Sequence, residues 1–384
     1  METLNPAEWP SGDVGKVQEF TLSSSVRVPQ VRPGLRVAIV GCGYWGSKHV
    51  RVFSGTAGVG EIVVVEPNEA LSRQLQLAFP AVRSFQSLQA ALPYVDAVVI
   101  ATPPRTHSDL ALLAIRAGKH VLVEKPLATS VAAARQLVDQ AHQNQVVLMV
   151  GHTFQFNPAV RELRRRLVAG EFGEIYYIHS ARLNLGLYRP DVNVVWDLAP
   201  HDISIMNYLL DSTPQTATAW GASLAFGGIE DLAYIQLKYD NPNVTGYVHL
   251  SWLDPRKTRT VTVVGSKKMA VYDDIAEERL RIYDRGIEGG FEDGPHHERP
   301  PAYRYGDIVA PHIRTDEPLA VQGKHFVDSI SGSVDPESNG SHALAIVSVL
   351  EAIDRSMQKR TLIPIRYPRS FGRNPGEAIP GGIR

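Results

Sequence analysis

A single cysteine, Cys42, excludes any disulfide within the chain and fits a reducing compartment. Long apolar runs are missing too. None approaches the roughly 20 residues that cross a bilayer, and the first residues lack the basic-then-apolar pattern of a secretory signal. The expectation is a cytoplasmic protein with no membrane segment. Neither sign of charge dominates: Lys plus Arg (39) nearly cancels Asp plus Glu (40), which leaves no global field for nucleic acid or an anionic membrane. Thirteen histidines occur without any H-x-x-x-H or H-E-x-x-H spacing, and His296-His297 is an adjacent pair in a loop-like stretch. No metal site is expected. Internal repeats are absent as well.

What is present is a chain of 384 residues, 44% hydrophobic, long enough for two domains. Its organising stretch is Val37-Ala38-Ile39-Val40-Gly41-Cys42-Gly43-Tyr44-Trp45-Gly46, an apolar run entering G-x-G-x-x-G before a helical segment. Gly41 permits the turn, Gly43 lets a pyrophosphate approach the backbone, and Gly46 lets the helix pack against the strand. Phosphates would sit on the free N–H groups of that helix. A second apolar run, Ile62 to Val65, ends at Glu66, and 66 − 46 = 20, the spacing at which an acid meets the adenosine ribose. Glu66 would repel a 2′-phosphate and Pro67-Asn68 brings no arginine, so NAD is expected rather than NADP. Cys42, inside the turn, reads as a small packing residue.

Taken in order, residues 1–34 are rich in proline, glycine and serine and read as an extended arm or a partly ordered tail. Residues 35–151 alternate strand and helix, with strands at Ile62–Val65, Asp96–Ile100, His120–Val123 and Val146–Val150. Ser130 is a candidate N-cap for a helix over Val131–Gln143. This grammar implies a parallel Rossmann sheet. Residues 152–366 read differently. Asn157-Pro158 opens a helix bearing Arg161, Arg164, Arg165 and Arg166, read as a solvated basic face. β-rich stretches follow at 175–185, 216–224, 232–239, 244–253, 258–264, 268–272 and 280–283, several alternating, as in Ala233, Ile235, Leu237 against Tyr234, Gln236, Lys238. They imply an α+β domain with a large, mostly antiparallel sheet covered on one face. Gly286–Pro311 reads as a loop, two helices follow at about 317–330 and 343–358, and 367–384 is an irregular tail.

Two short motifs concentrate chemistry. Glu124-Lys125-Pro126 ends a parallel strand, where ligands of open α/β sheets bind. A lysine there can polarise a substrate hydroxyl and stabilise a developing alkoxide, or it can be an ordinary surface lysine at a strand end. Position alone does not separate the two. The second motif is Trp196-Asp197-Leu198-Ala199-Pro200-His201-Asp202, with a helix expected to begin just before Pro200. Asp197 and His201, four apart, would project from one side and could move a proton; they could equally be an N-cap and a partly buried helix residue.

Together the Gly41–Gly46 fingerprint, Ala101-Thr102-Pro103-Pro104, Glu124-Lys125-Pro126 and Asp197-x-x-x-His201 resemble the glucose-fructose oxidoreductase / inositol dehydrogenase (Gfo/Idh/MocA) family over roughly Val37 to Gln358. The resemblance implies a catalytic set in which Lys125 holds the reacting hydroxyl, His201 is the general base, and Asp197 orients the substrate or the histidine. It implies cofactor contacts at Gly41, Gly43, Tyr44, Trp45, Gly46, Glu66, Thr102, Pro103, His107, Glu124 and Lys125, and pairing of subunits into a homodimer or homotetramer through an open sheet face.

Gly43-Tyr44-Trp45-Gly46, Gly151-His152-Thr153-Phe154, Arg182-Leu183-Asn184, Trp196 to Asp202 and Ser251-Trp252 to Lys257 are similar to a bacterial subgroup of sugar or nucleotide-sugar 3-dehydrogenases. That likeness implies a keto sugar passed to an aminotransferase, in aminosugar or antibiotic pathways. The chain departs from the commoner family pattern at Gly151-His152-Thr153 and at Pro200. Candidate substrate contacts are His152, Arg182, Asn184, Tyr188, Arg189, Trp196, Trp252 and Arg256, with Lys257 nearby. The arginines suit a phosphate and the aromatics a sugar ring or base, or else all are edge and interface residues. Two rival functions are a member that retains NAD for hydrolysis or epimerisation, and an NAD-binding sensor without turnover.

Overall fold

The computed structural model describes residues 34–368, apart from Leu187, Arg189, Pro190, Phe226, Asn241 and 289–301. The expected N-terminal arm (save Gly34), most of the tail, Arg189 and the His296-His297 pair lie outside the described residues.

The first half alternates as its sequence pattern implies. Strands β1 (Leu35–Val40), β2 (Val59–Val65), β3 (Arg83–Phe85), β4 (Ala97–Ile100), β5 (His120–Val123) and β6 (Leu148–Val150) form one parallel sheet in the order β3-β2-β1-β4-β5-β6. Helices α1 (Tyr44–Ser54), α2 (Glu69–Ala78), α3 (Leu88–Ala91), α4 (His107–Arg116) and α5 (Val131–Gln143) connect them. A strand buried on both faces can be apolar throughout, and all four residues of β4 are buried. Ser130 caps α5 by accepting from the Ala133 N–H at 3.2 Å. The order reverses between β1 and β4, which opens a crevice beyond their carboxyl ends.

The second half starts with α6 (Pro158–Val168), capped by Asn157 with proline at its first position. Its arginines are ion-paired rather than merely solvated: Arg161 to Glu337, Arg164 to Asp211, and Arg165 and Arg166 to Glu162. Then come β7 (Ile175–Leu185), α7 (Val194–Leu210), β8 (Thr216–Ala222), β9 (Leu232–Tyr239), β10 (Val244–Ser251), β11 (Leu253–Gly265), β12 (Met269–Asp273), β13 (Leu280–Glu288) and β14 (Ala302–Val309). Helices α8 (Pro318–Ile330) and α9 (Gly340–Lys359) precede a short β15 (Ile363–Pro364). The nine strands run β14-β13-β12-β11-β7-β10-β9-β8-β15, antiparallel except for the β7–β10 pair.

One face of this sheet is covered by α7 and α9. Ala233, Ile235, Leu237 and Tyr239 of β9 point into that core, whereas Trp220, Tyr234, Tyr247 and Tyr177 are exposed on the other side. Period-two alternation settles which residues go where. Late in the chain, α8 returns to the first sheet: Gly323 lies over Val52 and Phe53, and Phe326 meets Phe53 edge-on at 6.4 Å.

Two expectations fail. The stretch read as a loop from Gly286 to Pro311 contains the end of β13 and all of β14, paired antiparallel. β14 buries neither face, so no apolar alternation marks it. Helix α7 begins at Val194, not beside Pro200. Asn193 is its N-cap, accepting from the Trp196 N–H at 3.1 Å, which leaves Asp197 in the first turn and Pro200 within the helix.

Candidate active site

The crevice is built by the loops after β1, β4, β5 and β6. After β1, Gly41 has φ +86°, a conformation that L side chains avoid, and a Cβ on Gly46 would stand 1.7 Å from the Gly41 carbonyl oxygen. A Cβ on Gly43 would meet nothing within 4 Å, so this backbone faces open space at the start of α1. Tyr44 and Trp45 stand beside it, exposed, with rings edge-to-face at 5.5 Å and the Lys48 ammonium 4.6 Å from the Tyr44 ring. Glu66 directly follows β2 and accepts from the N–H groups of Cys42 at 2.8 Å and Asn68 at 2.9 Å. Each carboxylate oxygen keeps a further lone pair for a ribose hydroxyl. Burial, with the Glu66 charge nearby, pushes the Cys42 thiol up to about 12, so it is a packing group and no nucleophile. Open backbone at Gly43 and an acid at the end of β2 fit a dinucleotide.

After β4, Thr102 and Pro103 form a tight turn closed by Thr106. His107, expected at the cofactor, is instead buried, with one ring nitrogen 2.7 Å from the Pro126 carbonyl and the other 2.8 Å from that of Thr102. It ties the turn after β4 to the turn after β5. That second turn carries Glu124 and Lys125, with a cis Lys125–Pro126 bond. Glu124 is largely buried against Gly151, and its carboxylate meets His49 of α1 at 2.7 Å. No sequence signal links His49 to Glu124 across 75 positions.

Lys125 reaches α7. Its ammonium donates to the Asp197 backbone carbonyl at 2.6 Å and to the Asp197 carboxylate at 3.3 Å. Pro200 has no N–H to offer the Trp196 carbonyl, so the helix ladder is interrupted beside the turn that Lys125 grips. One turn further on, His201 has a buried Nδ1 with no hydrogen-bond partner among the described residues, and its ring meets Phe154 edge-on at 5.1 Å. Burial, aided by the charges of Lys125 and Arg182, holds the His201 imidazole well below the usual histidine range. It is therefore neutral near pH 7, the form that can accept a proton.

The structure brings Lys125, Asp197 and His201 together, and sequence spacing alone left each of them ambiguous. Other candidates are redirected. Arg182 is buried and bidentate to Asp202, at 2.9 and 3.1 Å, with Ser180 donating to the same carboxylate at 2.6 Å. Its guanidinium also covers the Phe154 ring at 4.7 Å, and Phe154 in turn meets His201, so both the edge and the face of Arg182 are engaged within the protein. Trp196 is 9% exposed and donates its indole N–H to Asp354 at 2.5 Å, which commits it to α9. At the same end of the second sheet, Asn184 and Arg256 are exposed, while Tyr188 meets the buried Trp252 edge-on at 5.8 Å. His152 lies fully buried beyond β6. Asp202 and Phe154 lie inside quoted motifs but were given no role, and Ser180 and His49 were given none either; each role becomes visible only through a partner far along the chain.

Comparison with known proteins bears on the family and the fold. Residues 35–152 match the model of an oxidoreductase family with an NAD-binding Rossmann fold (GFO/IDH/MocA), and residues 160–271 match the GFO/IDH/MocA C-terminal domain. Inositol 2-dehydrogenase 2 of Saccharopolyspora erythraea is 30% identical over 218 residues, 54% of this chain and 64% of that protein. UDP-N-acetylglucosamine 3-dehydrogenase of Acidithiobacillus ferrooxidans is 29% identical over 255 residues, 66% of this chain and 78% of its own. Among solved structures, GenD2 from gentamicin A biosynthesis, in complex with NAD, superposes with a TM-score of 0.73 at 26% identity, covering 87% of this chain and 97% of that one. The alignments span only 60% and 64% of the lengths of the first two curated relatives. Among the described residues, no helix is long and apolar enough to cross a membrane.

Proposed function

The chain belongs to the Gfo/Idh/MocA oxidoreductase family, and we propose that it is an NAD-dependent dehydrogenase oxidising the C3 hydroxyl of a sugar phosphate or nucleotide sugar to a ketone. The observation that carries this reading is the Lys125–Asp197–His201 group at the carboxyl end of β5. Residues 35–151 hold the cofactor and 152–366 the substrate. Gly41, Gly43, Gly46 and Glu66 would hold the dinucleotide, with Glu66 favouring NAD over NADP. When bound, NAD supplies the hydride acceptor. Lys125, fixed by its two bonds to Asp197, donates to the substrate hydroxyl and stabilises the oxygen as negative charge grows on it. Neutral His201 takes the hydroxyl proton. Exposed Arg256 and Lys257 receive the phosphates, and the keto product goes to an aminotransferase. The C3 assignment leans on the 3-dehydrogenase relative. The enzyme acts in the cytoplasm as a homo-oligomer paired through the exposed aromatic face of the second sheet.

The test is NADH formation, by absorbance, with UDP-glucose, UDP-N-acetylglucosamine, glucose 6-phosphate, myo-inositol and glucose, each with and without an aminotransferase and glutamate. Turnover with a phosphorylated sugar is expected, and His201→Ala should lower kcat by about 10²–10⁴ while NADH still binds. Full turnover in His201→Ala would remove the acid–base assignment. NAD that stays bound through gel filtration, with no net NADH from any sugar, would instead favour a retained-cofactor reaction or a sensor.

A further inference from the structure

Lys125 stands between two residues that are each gripped by a buried histidine. On one side, Glu124 sends its carboxylate to α1, where Oε1 meets His49 Nε2 at 2.7 Å. His49 is 1% exposed. A carboxylate only accepts, so the His49 ring donates from Nε2. Its Nδ1 is buried without a hydrogen-bond partner among the described residues. The second carboxylate oxygen of Glu124 lies against Gly151, where a Cβ would stand 2.8 Å from it. On the other side, the Pro126 carbonyl lies 2.7 Å from Nδ1 of His107, the first residue of α4. Helices α1 and α4 follow β1 and β4, the two strands that flank the crevice.

An aliphatic side chain could fill the place of His49 without stranding a ring nitrogen, so packing alone does not account for an imidazole there. What the ring adds is a fixed position for Glu124. Glu124 reaches back to α1, while the next residue, Lys125, reaches forward to the Asp197 carbonyl of α7 at 2.6 Å. Two adjacent side chains therefore stretch one turn between the helix that opens on the pyrophosphate site and the helix that carries His201. A misplacement of about 1 Å at a reacting group can cost on the order of 10²-fold in rate. We propose that His49 is a positioning residue: through Glu124 it sets the backbone of Lys125, and so ties the amine that holds the reacting hydroxyl to the cofactor helix. The inference rests on the reading that Lys125 receives that hydroxyl.

The test uses the full-length protein. His49→Gln places its side-chain amide where Nε2 stands, and His49→Asn stops short of it. A double variant, His49→Leu with Glu124→Leu, removes the pair and its buried charge together. Each is read by thermal midpoint, by NADH Kd, and by kcat and KM with the sugar of the panel above that turns over fastest. The isotope effect is taken with that sugar deuterated at its reacting carbon. Methylation of Lys125 by formaldehyde and cyanoborohydride is followed by peptide mass spectrometry. His49→Asn should lower kcat about 10- to 100-fold, with KM and the NADH Kd within about twofold, and His49→Gln should recover most of that loss. In His49→Asn the isotope effect should grow as hydride transfer becomes the slow step. Lys125, whose side chain is 13% exposed and held to Asp197, should there be methylated severalfold faster than in the wild type. The double variant should regain the thermal midpoint but not the rate. One that regains both would show that His49 only stabilises the fold, and would overturn the proposal. So would Lys125 labelling unaltered in His49→Asn, whatever its kcat. If the wild type oxidises none of the sugars, the dehydrogenase reading fails separately, and the labelling of Lys125 alone decides the case of His49.

Discussion

Replacing Asp202 by asparagine gives the sharpest test of how the base is held. Asp202 is 1% exposed and takes two bonds from Arg182 and one from Ser180, on the residue directly after His201. Asparagine keeps the shape but removes the charge, which leaves the buried Arg182 guanidinium uncompensated. Breaking one side of such a pair costs about 3–5 kcal/mol, a large part of the roughly 5–15 kcal/mol that holds a domain folded. Removing both charges is a different experiment. In Arg182→Met with Asp202→Leu the desolvation cost disappears along with the attraction, and Ser180 still reaches the Thr260 carbonyl at 3.2 Å. That double variant should lie within about 1–2 kcal/mol of wild type, or above it. Urea titrations at pH 7, followed by tryptophan fluorescence and circular dichroism together, measure both. Asp202→Asn should also lose turnover, because α7 is no longer clamped to β7 beside His201, yet bind NADH normally. A single-variant cost below about 1 kcal/mol, or a double variant as unstable as the sum of its singles, would refute the buried-pair argument.

Three other outcomes follow from the same structure. His152, His201 and His342 are held below the ordinary histidine value by burial, His342 at about 4; as pH falls below about 6.5 the unfolded chain takes up protons that the folded chain refuses. Stability present above that pH should therefore decline towards pH 4, by up to about 1.4 kcal/mol per pH unit for each ring, and a denaturation midpoint that stays flat from pH 7 to 4.5 would contradict it. Gly46→Ala places a methyl 1.7 Å from the Gly41 oxygen, so NADH affinity by fluorescence titration should fall at least about tenfold; unchanged affinity would show that the turn can open. Trp220→Glu with Tyr234→Glu should reduce the sedimentation mass if the exposed sheet face pairs copies of the chain, and an unaltered mass would place that contact elsewhere.

The sequence made the first sheet legible because parallel strands buried on both faces advertise themselves as unbroken apolar runs, as β4 does. Caps such as Ser130 and Asn157 worked for a similar local reason. β14 escaped because a strand with two wet faces has no apolar period, and the start of α7 escaped because Pro200 was a louder signal than Asn193. In the site, Lys125, Asp197 and His201 were nameable as types, but their union depends on a bond across 72 positions. Arg182 and Trp196 stayed open between substrate contacts and structural residues for the complementary reason. Their partners, Asp202 and Asp354, are ordinary acids until the fold places them, and an arginine with a buried carboxylate is no longer available to a ligand.

The return of α8 to α1 has a consequence for the chain as it is being made. Val52 and Phe53 are covered by Gly323 and Phe326, and the start of α8 lies 318 − 54 = 264 positions after the end of α1. At ribosomal speeds of about 5–20 residues per second, that face stays bare for on the order of 10–50 s after α1 has emerged. The nucleotide-binding half is therefore unfinished until almost the last helix is released. A nascent chain stalled before Pro318 would present this apolar surface to chaperones, and the same dependence argues against excising residues 35–151 as a free-standing dinucleotide-binding module.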